Sequence, residues 1–147
     1  MGDADEGSRR IVAVVHLAML AAIPLYAGAL ALFRGSGLPV RPAAERLRFV
    51  SVLLVIGAAE WAVATIVGRR WLVRGGGGSA SDRVRRYFLI RFAAGEAMAV
   101  FGLFAGFTGV RWAEAGLLFA AAALALVLSA PTRAAWDTAN RLADAGP

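Results

Sequence analysis

The sequence predicts an all-α integral membrane protein, a four-helix bundle built from two transmembrane hairpins with both termini in the cytoplasm. Of its 147 residues, 59% are apolar, well above the roughly 45–50% of soluble domains. These residues fall into four runs, each close in length to the ~20 residues that a helix needs to cross a bilayer. Arginine-rich and glycine-rich segments separate the runs.

The N-terminal half of the chain contains the first predicted hairpin. Residues 1–10 are acidic and then basic, and we predict that they are disordered. Residues 11–68 form the hairpin, whose two spans are joined by a polar loop at 34–48 that is rich in arginine, proline and glycine. Pro24 interrupts the first span, which a packed membrane bundle tolerates.

The C-terminal half repeats this arrangement. Residues 69–86 are predicted to be a cytoplasmic linker rich in arginine and glycine, and residues 87–130 the second transmembrane hairpin. Residues 131–147 begin with a proline that ends the last span. We predict that this tail lies at the membrane interface as a short helix anchored by Trp136.

The distribution of arginine predicts the orientation. All sixteen basic residues are arginines; ten lie on the side of the termini, five on the other side and one within a span. The positive-inside rule therefore places both termini in the cytoplasm. Arginine in place of lysine, with abundant alanine and glycine, indicates a GC-rich genome and favours the inner membrane of a bacterium.

Composition also limits the function. The net charge of +6 is explained by topology, because the arginines lie between apolar runs, so we expect no nucleic-acid partner. The absence of cysteine excludes a thiolate metal site. No pattern resembles a nucleophile with its base or a phosphate-binding loop, so we expect neither enzyme activity nor a cofactor or metal.

Two carboxylates lie near the middle of the predicted spans. A charged residue in a membrane is costly and is by default a functional hypothesis. At ~1.5 Å of rise per residue, Glu60 lies ~12 Å from the end of the second span and Glu96 ~13–14 Å along the third. We expect the two to share a level and an exchangeable proton, as an ion-binding site. The alternative is that they form interhelical hydrogen bonds that fix packing.

Two cationic or polar residues lie closer to the predicted cytoplasmic side. His16 in the first span and Arg91 in the third both come out at ~6–8 Å depth. We predict that they form a second tier of a polar path above the carboxylates. A histidine near the interface and an arginine that anchors topology are the alternatives.

Small residues recur along one face of the third span. They are predicted to let the helices approach closely, within one chain or between copies. The helix-packing positions are Gly95, Ala99, Gly102 and Gly106.

The segment RFAAGEAMAVFGLFAGF contains Glu96-Ala97 followed by Phe101-Gly102. It resembles the carboxylate-bearing helix of rotor-ring proteolipids, the c subunits of ATP synthases and V-type ATPases. The resemblance covers about seventeen residues. It implies that Glu96 is a proton- or sodium-binding carboxylate in the middle of the membrane.

We therefore expect a small polytopic subunit that assembles with itself or with other membrane proteins, in contact with the lipid bilayer, and that binds or relays protons through Glu96, helped by Glu60. Two alternatives stay open. One is a purely structural accessory or assembly subunit. The other is a quinone- or lipid-binding subunit that uses His16, Arg91 and nearby aromatic residues.

Overall fold

The computed structural model describes residues 3–34, 40–74 and 78–145. The described residues contain helices and no strand, which confirms the all-α prediction. The five helices in chain order are α1 (Asp3–Arg34), α2 (Ala43–Arg74), α3 (Ala80–Phe107), α4 (Trp112–Leu128) and α5 (Arg133–Asp144).

Three helices, α1, α2 and α3, are long and apolar enough to cross a membrane. Helix α4 has 17 residues and meets that condition only together with α5, from which it is bent by 64°. Large apolar side chains cover the outer faces, among them Leu32 at 83% and Leu25 at 72% exposure. An apolar surface of this extent is typical of a protein that lies in a bilayer.

Two segments that the sequence places outside the spans, residues 1–10 and 69–86, are largely helical where the structure describes them. From Asp3 onward the N-terminal segment is part of α1, with an ion pair between Arg10 and Glu6 one turn apart (2.7 Å). Likewise, the linker predicted at 69–86 is largely helical. Helix α2 continues to Arg74, and α3 begins at Ala80 behind a capping box. Residues 75–77 of the predicted linker lie outside the described residues.

Helix α3 lies at the centre of the bundle and packs against the four other helices. Helices α1 and α2 do not pack on one another to a comparable extent, although each contacts α3 and α4. The first predicted hairpin is therefore not a packed pair, because α3 occupies the position between its two helices.

The small-residue face of α3 explains how the other helices approach it. All four predicted helix-packing positions are buried. A Cβ atom on Gly95 would lie 3.0 Å from Leu126 of α4, and a Cβ atom on Gly102 would lie 2.9 Å from Phe119 of the same helix. One turn further on, Gly106 faces α1. The stripe thus serves contacts inside this chain.

Helix α5 folds back onto the bundle. Its Trp136 is fully buried and stacks on Phe88 of α3, with ring centroids 5.5 Å apart and an angle of 7° between the planes. Arg83 donates a hydrogen bond to the carbonyl oxygen of Ala143 at 2.7 Å. The prediction that Trp136 anchors the tail in the headgroup region is therefore wrong, since this ring belongs to the core.

Candidate functional site

The carboxylate singled out in the third span is held by a tyrosine of the first. The hydroxyl group of Tyr26 donates a hydrogen bond to Oε1 of Glu96 at 2.9 Å, and both side chains are half-buried where α1 meets α3. Glu96 lies nine residues after Tyr87, ~13–14 Å along the helix. Sequence reasoning identified Glu96 and missed Tyr26, because nothing in the sequence shows which helix covers this face of α3.

The other carboxylate does not join this site. Glu60 is exposed on α2. Helix α2 meets α3 at Met98, which lies over Gly57, and two residues turn a helix by about 200°. Glu96 therefore faces α1, on the opposite side of α3 from Glu60. The expected pair of facing carboxylates is not formed. Two residues at the same position along the helix axes face each other only if the rotation of each helix about its axis also brings them together.

His16 and Arg91 meet at the C-terminal end of α4. Nε2 of His16 lies 2.9 Å from the carbonyl oxygen of Leu126, to which it donates, and its ring is 4.9 Å from that of Phe92. Arg91 donates from Nη2 to the carbonyl oxygen of Leu128 at 3.1 Å. The structure thus brings these two predicted polar residues to the same helix end. No hydrogen bond joins either of them to Glu96 within the described ranges.

A third helix contributes to the same place. The indole nitrogen of Trp61 in α2 donates to Oγ of Ser129 at 3.2 Å, and that hydroxyl group donates to the carbonyl oxygen of Ala125 at 2.7 Å. Ser129 is fully buried. The sequence signal for this contact was the hydroxyl group two residues before Pro131, where helix α4 has to end.

These contacts add hydrogen bonds at the C-terminal end of α4. The carbonyl oxygens of Ala125 and Leu126 also accept from the backbone N–H of Ser129, whereas that of Leu128 is bound by Arg91. The last turn of a helix lacks its regular backbone partners, and this end carries the negative pole of the helix dipole. A guanidinium group there is stabilising. The arrangement supports the bend between α4 and α5, so a structural role accounts for the observed contacts of His16.

Replacing His16 with phenylalanine is expected to lower the free energy of unfolding by about 1 kcal/mol, the usual net value of one hydrogen bond. The loss stays small because the carbonyl oxygen of Leu126 also accepts from the backbone N–H of Ser129 at 3.0 Å. Thermal unfolding in detergent measures the change. An unchanged transition would show that the imidazole contributes packing alone.

A buried ion pair lies at the opposite end of the bundle. Nε of Arg46, at the start of α2, lies 2.8 and 3.1 Å from the two carboxylate oxygens of Glu114 in α4. Arg46 is 5% exposed. Glu114 also accepts from the backbone N–H of Arg111 at 3.1 Å. The sequence does not reveal this pair, because Arg46 is one of four arginines around one loop.

The loop itself is fixed to the same region. The backbone N–H of Arg41 donates to the carbonyl oxygen of Gly109 at 3.0 Å, and its Nε donates to that of Thr108 at 2.5 Å. Arg46 donates in turn to the carbonyl oxygen of Arg41. These contacts join the start of α2 to the turn between α3 and α4.

Within the ranges that the structure describes, no group of three or more histidine, cysteine or acidic side chains could hold a metal ion. A comparison of the chain with protein-family models, curated proteins and solved structures gives no match. The function is therefore argued from the geometry.

Proposed function

We propose that this chain is a small integral membrane subunit that binds a proton at Glu96. The observation that carries the proposal is the hydrogen bond from Tyr26 to Glu96. Glu96 lies in the middle of the apolar part of α3, and its side chain is partly exposed. A carboxyl group at that depth is costly unless a proton, a cation or a hydrogen-bond donor compensates it. The resemblance of this segment to rotor-ring proteolipids points to the same residue.

The chemistry of the site favours a proton over a metal cation. Hard cations such as Ca²⁺ and Mg²⁺ take six or more oxygen ligands. The described contacts of Glu96 supply one carboxyl group and one phenol. One carboxyl oxygen can bind a proton while Tyr26 bonds the other, so a proton needs no further ligand.

The positions of the arginines and the partial exposure of Glu96 indicate the orientation of the chain and how a partner would reach the site. The arginines at the end of α2 and the start of α3 favour a cytoplasmic position for that end of the bundle by the positive-inside rule. The half-open position of Glu96 lets a second copy or another membrane subunit reach it through the bilayer. Assembly with such a partner, in the inner membrane of a bacterium, is part of the proposal.

Proton binding is tested with dicyclohexylcarbodiimide, an apolar reagent that reacts with protonated carboxyl groups in membranes. We expect labelling on the peptide that carries Glu96, measured by mass spectrometry. In Tyr26→Phe the labelling rate rises about tenfold, because a hydrogen bond to a charged group is worth about 1.5–3 kcal/mol and the phenol competes with the proton that the reaction needs.

The matched control is Glu60→Gln, which removes the exposed acid of α2. It leaves the labelling of Glu96 unchanged, since the two acids lie on opposite sides of α3. An unlabelled Glu96, or a rate that Tyr26→Phe does not alter, would contradict the proposal.

A purely structural accessory role is the second candidate, favoured by the contacts of His16 and Arg91 with the backbone of α4. Under this alternative the bond from Tyr26 to Glu96 also serves packing alone. Glu96→Gln distinguishes the two roles, because an amide oxygen still accepts from Tyr26 but the amide cannot take up the proton. If the chain is a proton-binding subunit, this variant keeps its stability and assembly and loses proton uptake or flux, whereas a purely structural subunit is unchanged in all of these measurements.

A further inference from the structure

A crevice lies where the end of α2, the start of α3 and helix α5 meet. Its volume is about 330 Å³, within the range of roughly 300–1,000 Å³ that ligand pockets occupy. No acidic side chain lines it. Two arginines, one threonine and otherwise apolar or aromatic side chains line it, principally Arg69, Arg91, Leu72, Tyr87, Ala135 and Leu142.

The two arginines carry charges that no described side chain neutralises. Neither Arg69 nor Arg91 has an ion-pair partner among the described residues. Of the five N–H groups of a guanidinium, Arg91 uses one for the hydroxyl group of Tyr87 and one for the carbonyl oxygen of Leu128. Its Nε–H is buried without a partner in the part of the chain that the structure describes. The crevice thus offers donors and positive charge to an anion.

A second, apolar groove lies on the other side of Arg91 from the crevice. It runs between α2 and α4 with a volume of about 300 Å³. Arg91 connects the two: its guanidinium carbon lies 5.5 Å from the ring centre of Trp61, and Leu128, whose carbonyl oxygen it binds, lines the groove. The lining of the groove is apolar, formed chiefly by Leu54, Ala58, Trp61, Ala121, Leu124 and Leu128.

We propose that the crevice and the groove together bind one anionic phospholipid of the surrounding bilayer. Its phosphate group lies against Arg69 and Arg91, and one acyl chain follows the groove between α2 and α4. Guanidinium groups bind phosphate through charge-assisted hydrogen bonds. The residues of α2 that line the groove, from Trp61 to Leu54, lie progressively further from Arg69 along the helix, so an acyl chain in the groove would extend away from the headgroup. This site is separate from Glu96, which faces α1.

The lipid would stabilise the packing of α5 against the rest of the bundle. Helix α5 is connected to α4 through a bend of 64°, and the crevice has walls from α2, α3 and α5. A headgroup bound there contacts all three elements. Lipid binding would therefore favour the docked position of α5, in the manner of a ligand that binds one conformation selectively.

The test is native mass spectrometry of the full chain released from vesicles that contain equal amounts of phosphatidylglycerol and phosphatidylcholine with identical acyl chains. The wild-type protein is expected to retain one phosphatidylglycerol in preference. In Arg69→Gln this retention falls about fivefold, since one basic residue near a membrane surface contributes about 1 kcal/mol to the binding of anionic lipid. Arg70→Gln is the matched control, because Arg70 is equally exposed and does not line the crevice.

A second pair of variants tests the acyl groove. Ala58→Phe places a ring in the groove and is expected to reduce retention of the phospholipid. Ala59→Phe adds the same ring at an exposed position outside it and leaves retention unchanged. Equal retention of the two lipids, equal behaviour of Arg69→Gln and Arg70→Gln, or displacement of the lipid by inorganic phosphate would overturn the proposal. So would a quinone or a second copy of the chain in the groove.

Discussion

Gly106→Leu is expected to lower the free energy of unfolding by about 3 kcal/mol, the upper end of the usual cost of overpacking a core. A Cβ atom on Gly106 would overlap the side chain of Leu30, which is itself fully buried. Leu30 has no free space to turn into, so α1 has to move away from α3. The same movement would lengthen the hydrogen bond from Tyr26 to Glu96, four residues along α1 from Leu30.

The control for this variant is Gly28→Leu. Gly28 lies in α1 with no atom within 4 Å of an added Cβ, and leucine is the better helix former by up to about 1 kcal/mol. We expect unchanged or raised stability there. The two variants are compared by thermal unfolding in one detergent, with carbodiimide labelling of Glu96 as a second measurement. Equal transitions in both would mean that α1 does not pack on α3 at this glycine.

Arg46→Met is expected to lower the free energy of unfolding by about 2 kcal/mol. Removing one partner of a buried ion pair typically costs about 3–5 kcal/mol, and the expected value is smaller because the side chain of Glu114 is 17% exposed. Glu114 would also keep its bond from the backbone N–H of Arg111. Arg46 contributes further through its bond to the carbonyl oxygen of Arg41, which this variant also removes.

Two comparisons identify the ion pair as the cause. Arg48→Met removes an exposed arginine from the same helix and is expected to change stability by less than about 0.5 kcal/mol. In the double variant Arg46→Met with Glu114→Leu, part of the loss is recovered, since no unpaired charge remains buried. A double variant that is less stable than the sum of the single changes would contradict this account.

The two ends of the bundle are fixed by different means. At the end with Arg46 and Glu114, one ion pair and several backbone contacts of Arg41 join α2 to the turn before α4. At the other end, the carbonyl groups of α4 accept from His16 and Arg91. Glu96 lies between these two ends, with Tyr26 as its one described hydrogen-bond partner. This carboxyl group is the one that we propose as the proton-binding site.

The sequence by itself determined the class of protein and the position of the polar residues along the helices. Long apolar runs can be satisfied in a bilayer only by helices or closed barrels, so composition and run length were sufficient for the all-α prediction. The depth of Glu96 follows from the rise per residue alone. The small-residue face of α3 was likewise visible from its spacing, because glycine and alanine permit close helix contacts wherever the partner lies.

The tertiary structure alone decided which helices are neighbours and what each polar group bonds. Helix α3 separates α1 from α2, so Glu96 pairs with Tyr26 and not with Glu60. Trp136 is buried in the core because α5 folds back onto Phe88. Hydropathy and spacing define depth along one helix, whereas these pairings depend on the rotation of each helix about its axis. That rotation is set by packing among side chains that are distant in the sequence.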